Sequence, residues 1–142
     1  MRNTLFRSPS ARQIDIALLI IRAVTGVIFI AHGWQKLFVY GFGGVSGAFA
    51  HMGVPAPEVL GPFVALVEFL GGIALLIGLL TRLAALGLAF NMLVAMLLVH
   101  AKSGFFNPGG IEFPLSLFAA ALLLVFTGAG NYSSDKAVGA RR

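Results

Sequence analysis

Four long apolar stretches constrain the fold of this sequence more than any other feature. They cover about residues 14–36, 58–80, 82–100 and 112–127. A helix needs about 20 apolar residues to cross the roughly 30 Å hydrocarbon core of a bilayer. Each stretch reaches or approaches that length, and backbone exposed to lipid must form its own hydrogen bonds. The sequence therefore predicts an all-α, integral membrane four-helix bundle.

The composition indicates that lipid, rather than water, surrounds these helices. Hydrophobic residues make up 58% of the 142 residues and charged residues only 11%, whereas about 25% of an ordinary soluble domain is charged. A soluble chain of this size could not bury so much apolar surface. We expect a single transmembrane domain over residues 1–142.

The net charge of +5 does not indicate a nucleic-acid partner, because the basic residues are few and lie mainly in loops and at chain ends. Lys and Arg accumulate in the cytoplasmic loops of membrane proteins, so their distribution predicts orientation. With four spans, one side holds Arg2, Arg7, Arg12, Arg82, Lys136, Arg141 and Arg142. The other side holds Lys36 and Lys102. Both termini are therefore predicted to be cytoplasmic, with the protein in the cell inner membrane.

The connections between the spans differ in length and composition. Residues 39–56 are rich in glycine and aromatic residues, which predicts a long outer loop with room for a short interfacial helix around Val45–Met52. The second connection is a tight hairpin in which Thr81 is positioned to cap the third helix. The polar tail after Gly128 is predicted to be surface-exposed or disordered.

Three polar residues interrupt the spans and are the first candidates for a functional site. Arg22 lies within the first span, Glu68 within the second and Asn91 within the third. A charge at the bilayer centre costs at least about 2.5–3.5 kcal/mol, so it should be paired. Measured at about 1.5 Å per residue from the outer ends of the helices, all three lie at similar depth. We expect an Arg22–Glu68 ion pair with Asn91 nearby.

Helical periodicity places small residues on the same face as each of these polar residues. The faces are Arg22, Thr25, Gly26, Phe29 and Gly33 on the first helix; Gly61, Ala65, Glu68 and Gly72 on the second; and Ala84, Gly87, Asn91 and Ala95 on the third. Small residues permit the close approach of helices that is typical of membrane bundles. The polar residues either fix this packing or serve ligand binding, proton transfer or quinone binding.

A second polar set lies near the predicted outer ends of the spans. It contains His32, Gln35, Lys36, His51, His100 and Glu112. Such groups suit a quinone head group, an anion or a metal, and histidine titrates near neutral pH. Because interfacial solvation explains the histidines equally well, we assign no metal site, no certain cofactor and no catalytic residue. His100 is also expected half a turn away from the polar face of Asn91, which argues against one joint site.

The order and spacing of these motifs resemble the DoxX family of small bacterial membrane proteins. The motifs are Arg22, His32-Gly33-Trp34-Gln35-Lys36-Leu37, Gly53-Val54-Pro55, Glu68-Phe69-Leu70-Gly71-Gly72, Gly78-Leu79-Leu80-Thr81-Arg82, His100, Glu112 and Gly128-Ala129-Gly130-Asn131-Tyr132-Ser133. The resemblance implies a four-helix membrane protein. Some relatives look like membrane subunits of oxidoreductase systems, including thiosulfate:quinone oxidoreductase and a complex that links superoxide dismutase to sulfur metabolism.

Three functions are compatible with the sequence, and they leave open whether the chain is an enzyme. The first is a membrane subunit of, or anchor for, a quinone-linked oxidoreductase with a soluble or membrane redox partner. The second is a small proton or solute channel or transporter, for which four helices would need to form a homo-oligomer. The third is a non-catalytic membrane scaffold. Because the chain has no cysteine, it cannot carry sulfur covalently or exchange disulfides.

Overall fold

The computed structural model describes residues 7–140, and every regular element in that range is helical. The α-helices are α1 (Ala11–Trp34), α2 (Gly41–His51), α3 (Pro57–Ile77), α4 (Thr81–Ala95), α5 (Glu112–Thr127) and α6 (Ser134–Gly139). A π-helical segment, Gln35–Tyr40, joins α1 to α2; a second, Met96–His100, and a 3₁₀ turn, Ala101–Ser103, extend α4. Arg2, Arg141 and Arg142, which contribute to the predicted orientation, lie outside the described residues.

Within residues 7–140, three continuous helical segments are long and apolar enough to cross a membrane: Ala11–His51, Pro57–Ile77 and Thr81–Ser103. α5 is also apolar but has 16 residues, which gives a length of about 24 Å at 1.5 Å per residue. The chain is therefore a helical membrane protein with three long apolar helices and a shorter fourth.

The segment predicted as a long outer loop is mostly helical. α2 covers Gly41–His51, so it begins earlier than the short helix predicted around Val45–Met52. Gly41 has a φ of +67°, which favours glycine, and it redirects the chain where the first π segment ends. α2 packs against α3, where Gly61 leaves room for the backbone of Ser46 and the side chain of Val45. The loop prediction failed because this packing, rather than local propensity, stabilises a glycine-rich helix.

α1 and α3 are packed so closely that their backbones touch. A Cβ atom added to Gly33 would lie 2.6 Å from the Cα of Phe69, and one added to Gly26 would lie 2.8 Å from the carbonyl oxygen of Gly72. These contacts also show that the two helices are antiparallel. The predicted faces are confirmed, since the buried residues are Leu18, Arg22, Thr25, Gly26, Phe29 and Gly33 on α1 and Gly61, Ala65, Glu68, Gly72 and Leu75 on α3.

The predicted small-residue face of α4 is only partly buried, apart from Asn91. The buried residues are Thr81, Ala85, Leu88, Ala89, Asn91 and Met92, whereas Ala84, Gly87 and Ala95 are only partly buried. The larger apolar residues Leu88 and Met92 of α4 join Leu117 and Leu124 of α5 in the core, and Leu88 also lies against Gly71 of α3. Dispersion contacts between large side chains hold α4 and α5 together, so the small residues do not define their interface.

The tail after Gly128, predicted to be exposed or disordered, is instead folded against the bundle. Asp135 accepts hydrogen bonds from the backbone N–H groups of Leu80 (2.6 Å) and Thr81 (2.9 Å) and thereby caps α4. The Thr81 hydroxyl, predicted as the cap, has no hydrogen-bond partner among the described residues. Burial would raise the pKa of Asp135, but hydrogen bonding by Thr81 and Leu80 and the charge of Arg22 outweigh it and lower the pKa.

Two further contacts tie the same tail to other helices. The side chains of Asn131 and Asp15, near the start of α1, form a hydrogen bond of 2.7 Å. The Ser134 hydroxyl donates to the carbonyl oxygen of Ile77, the last residue of α3, at 3.0 Å. The tail therefore joins α1, α3 and α4 at one end of the bundle, which we call the tail end. The opposite end is covered by α2, and we call it the cavity end because a cavity lies there.

Gly33→Ala should destabilise the protein by about 1–3 kcal/mol, because the added methyl group meets backbone atoms of Phe69 that cannot rotate away. Thermal unfolding of the detergent-solubilised protein would measure the loss. Gly47→Ala is the matched control, since a Cβ there meets nothing within 4 Å and alanine favours a helix. Equal stability of the two variants would contradict a backbone contact between α1 and α3.

Candidate functional site

The predicted Arg22–Glu68 ion pair is not formed. Arg22 is buried near the tail end, where Nη1 donates to the carbonyl oxygen of Ala129 (2.7 Å) and Nη2 to that of Tyr132 (2.6 Å). Glu68 instead accepts hydrogen bonds from Lys36 Nζ and from Asn91 Nδ2, the latter at 3.2 Å. The polar residues of the spans therefore lie in two separate parts of the bundle, Arg22 in one and Glu68 with Asn91 in the other.

The register of α1 against α3 explains why this pair does not form, because the predicted similar depth of the two residues is wrong. Phe69, the neighbour of Glu68, lies against Gly33, and Gly33 is eleven residues along the chain from Arg22, or about 16 Å along the helix axis. Side-chain direction increases this separation. Side chains on a helix tilt toward its N-terminus. Because α1 and α3 are antiparallel, the long side chain of Arg22 extends toward the tail end and that of Glu68 toward the cavity end. Lys36, just after α1, tilts back toward Glu68 and becomes its partner. The depth count failed because it treated Ala31 and Glu58 as the outer ends of their helices, whereas α1 continues to Trp34 and into the π segment Gln35–Tyr40.

Arg22 holds the chain that follows α5 against α1. The Arg22 residue is only 1% exposed, and its guanidinium donates to two backbone carbonyl groups. Gly78 makes room for it, because a Cβ at that position would lie 2.7 Å from Arg22 Cζ. Charge-assisted hydrogen bonds of this kind are shorter and stronger than neutral ones. The contacts of Arg22 therefore serve the packing of the tail end.

Glu68, Lys36 and Asn91 lie in the wall of an apolar cavity of about 430 Å³ toward the opposite end of the bundle. Its remaining walls come from every neighbouring helix, with Phe29 from α1, Phe49 from α2, Val64 and Val67 from α3, Val94 from α4, and Phe113 and Leu117 from α5. Within the wall, the Glu68 side chain is 5% exposed and that of Lys36 20%. Opposite charges in direct contact reduce the cost of removing either one from water.

Two histidines of the predicted outer-end set also line this cavity. His32 precedes Lys36 by one helical turn on the same face, and its ring centroid lies 5.8 Å from that of Phe113. His100 Nδ1 lies 2.7 Å from the carbonyl oxygen of Gly109. Because a carbonyl can only accept, Nδ1 donates, which leaves Nε2 of a neutral ring as an acceptor.

Both π-helical segments contribute a polar residue to the cavity. Lys36 lies in Gln35–Tyr40, and His100 lies in Met96–His100. A π turn contains an extra residue, so the residues in and after it are rotated relative to an α-helix. This rotation explains why His100, predicted on the wrong face roughly 180° from Asn91 by α-helical spacing, lines the same cavity as Asn91. We find no sequence signal that would have predicted the two π segments.

The other members of the outer-end set lie outside the cavity lining. Gln35 and His51 are exposed. The Glu112 carboxylate accepts a hydrogen bond of 2.7 Å from the backbone N–H of Asn107 and so stabilises the turn before α5. The sequence analysis did not identify the apolar residues of the cavity wall, notably Phe63 and Phe90. In an apolar span, the sequence does not distinguish a phenylalanine that lines a cavity from one that faces lipid.

Comparison with known proteins assigns the chain to a family. The sequence model of the DoxX family matches residues 17–101. The protein belongs to the DoxX family. The matched range contains Lys36, Glu68 and Asn91, whereas α5 and the tail lie beyond it. No solved structure matches the chain.

Relatives with curated names support this membership in DoxX. The chain is 37% identical over 123 residues to the inner membrane protein YqjF of Escherichia coli, covering 86% of this chain and 92% of that protein. It is 29% identical over 125 residues to CatD of Bacillus subtilis, provisionally named an oxidoreductase, covering 87% of this chain and 88% of CatD. The chain is therefore similar to relatives along nearly their whole length.

Arg22→Leu and Glu68→Leu should each destabilise the protein by about 2–4 kcal/mol, because each leaves buried polar partners unsatisfied. Their effects should add to within about 0.5 kcal/mol in the double variant, since the two residues share no partner. Equilibrium unfolding in detergent would measure all three variants. Lys36→Leu with Glu68→Leu is the positive control and should be coupled by about 1 kcal/mol or more. A larger coupling energy for Arg22 than for Lys36 would contradict the observed arrangement.

Proposed function

We propose that this DoxX-family protein is the quinone-binding membrane subunit of an oxidoreductase, with the quinone head group at Lys36, Glu68 and Asn91. The observation that carries the proposal is a hydrogen-bonded charged pair in the wall of a mostly apolar cavity between the membrane helices. A quinone has matching chemistry, since its polar carbonyl groups are attached to an apolar ring. Ligand cavities typically combine mostly apolar walls with a few polar groups that fix orientation.

The polar residues supply both kinds of hydrogen-bonding group that a quinone and its reduced form require. The Lys36 ammonium has three donors, and its contact with Glu68 leaves others for a quinone carbonyl. His100 Nε2 can accept a hydrogen bond from the hydroxyl of a reduced quinone. The His32 imidazole, one turn from Lys36, can act as donor or acceptor. When bound, a quinone supplies reversible uptake of electrons and protons; these residues bind and orient it.

The name of CatD, which is provisionally an oxidoreductase, supports a redox function for the present protein. In this proposal, electrons pass between the quinone and a soluble or membrane partner that docks on the subunit. The chain itself contributes the binding site within the bilayer and the anchor for that partner.

Lys36→Met should lower the affinity for a decyl-substituted benzoquinone about tenfold, because it removes a charged donor worth roughly 1.4 kcal/mol or more. Binding would be measured by equilibrium dialysis of the protein in nanodiscs, with empty nanodiscs subtracted. Lys102→Met is the matched control, since Lys102 is exposed and lies outside the cavity. Asn91→Leu, which leaves the ion pair in place, should lower the affinity several-fold. Absence of saturable binding to the unmodified protein would refute the proposal.

We also propose four spans with both termini in the cytoplasm. Arg12 near the start of α1, Arg82 near the start of α4 and Lys136 in α6 belong to elements that meet at the tail end, while Lys36 and Lys102 lie toward the other end. The positive-inside rule then favours a cytoplasmic tail end. Local thinning of the bilayer would accommodate the 16 residues of α5.

The absence of cysteine allows this topology to be tested with single cysteines. In spheroplasts, Ser103→Cys should react with a membrane-impermeant maleimide, because the 101–103 turn faces outward in this topology. Ala137→Cys, in α6, should react only after lysis. The cysteine-free parent is the control for background. Labelling of both variants before lysis would show that α5 does not cross the membrane, and the reverse pattern would invert the orientation.

A further inference from the structure

The most exposed large apolar side chains of the cavity wall lie on α3 and α4, whereas Met52 and Phe113 in other parts of the wall are 40% and 39% exposed. Phe63 on α3 and Phe90 on α4 line the cavity and are also 57% and 64% exposed on the outer surface of the bundle. Leu98, in the second π segment, lines it as well and is 38% exposed. In a membrane, these exposed faces contact lipid. The cavity is therefore most accessible from the hydrocarbon core of the bilayer at this opening between α3 and α4.

We call this opening the α3–α4 crevice and define it by Phe63, Val64 and Val67 of α3, Gly87, Phe90 and Val94 of α4, and Leu98. The hydrogen bond between Asn91 and Glu68 joins α3 to α4 within it. A group that follows the crevice inward from the lipid thus reaches the polar residues directly.

Helix packing explains why side chains do not fill the crevice. α3 is tied to α1 by backbone contacts at Gly72, and it meets α4 nearer the tail end, where Leu88 lies against Gly71. Between them, a Cβ added at Gly87 would meet only Val67 Cγ1 among its near neighbours, at 3.8 Å. The residues that define the crevice are all apolar, so a polar ligand group lying there would lose its hydrogen bonds. A hydrocarbon chain has no hydrogen bonds to lose and can lie there without this loss of free energy.

We infer that the ligand carries a long hydrocarbon tail, that the tail lies in the α3–α4 crevice, and that the ligand enters and leaves the cavity from the bilayer through it. This inference rests on the proposed function. It adds that the hydrocarbon tail determines which quinones the protein binds. The head group lies at Lys36, Glu68 and Asn91, and the tail passes between Phe63 and Phe90 into the lipid. The substrate class is then a tail-bearing membrane quinone rather than a water-soluble one.

The test compares a dimethoxy-methyl-benzoquinone without a tail and its decyl derivative, each titrated against the protein in nanodiscs. Val94→Trp places a large ring in the crevice one turn from Asn91 and should weaken binding of the decyl compound about tenfold. Binding of the tail-less compound should weaken much less than that of the decyl compound, because it has no tail for the tryptophan to displace. Leu86→Trp is the matched control, because Leu86 lies on α4, is 54% exposed and does not line the cavity. It should change neither affinity.

Phe90→Ala gives a second measurement that does not add bulk to a packed position. Phe90 is 64% exposed, so its truncation should leave the fold intact, yet it removes one wall of the crevice. Affinity for the decyl compound should fall several-fold while affinity for the tail-less compound is unchanged.

The outcomes separate this inference from the proposed function. Saturable binding of both compounds, with the decyl affinity unchanged in Val94→Trp and Phe90→Ala, would overturn the crevice as the tail site and leave the quinone site standing. Equal losses for both compounds would place the effect at the head group and also overturn it. Failure of the unmodified protein to bind either compound would overturn both proposals together.

Discussion

The backbone contact between α1 and α3 is the constraint on which the rest of the structure depends. Gly33 and Gly26 bring the two helices so close that a single methyl group would not fit beside Phe69 or the Gly72 carbonyl oxygen. This approach fixes the axial register of an antiparallel pair. With that register set, Lys36 at the end of one helix and Glu68 within the other become direct partners. The ion pair is thus a consequence of glycine packing as much as of charge.

The bundle compensates the charges of Arg22 and Lys36 in different ways. Arg22 donates to two backbone carbonyl groups of the chain that follows α5, whereas Lys36 pairs with the carboxylate of Glu68. Carbonyl dipoles belong to the fixed backbone, so Arg22 fastens the tail end. A carboxylate and an ammonium in a cavity wall keep further hydrogen-bonding capacity, so Lys36 and Glu68 can serve a ligand. Both arrangements compensate a charge in a low-dielectric medium. Arg22 stabilises the packing of the tail end, and Lys36 with Glu68 forms a candidate binding site toward the cavity end.

The position of the cavity follows from how the helices are joined. At the tail end, the segment after Gly128 connects α1, α3 and α4 through Asp135, Ser134 and Asn131. Toward the cavity end, α3 and α4 are bridged by the side chains of Glu68 and Asn91, and each helix packs mainly on its other neighbour. The space left between them is the cavity and its opening to lipid. A binding site between helices of a bundle is a common arrangement.

The sequence by itself determined that the chain is helical and lies in a membrane, because apolar length alone decides that. It also determined the buried faces of α1 and α3, since a 3.6-residue period and small residues specify them directly. Glu68, Asn91, His32, Lys36 and His100 were all recognised as candidates for this reason: polar groups stand out in apolar spans. Only the tertiary structure decided which of them meet. The register of α1 against α3 separated Arg22 from Glu68 and placed Lys36 beside Glu68, and the second π segment rotated His100 toward the cavity. These are properties of contacts between helices, which a one-dimensional pattern of residues does not contain.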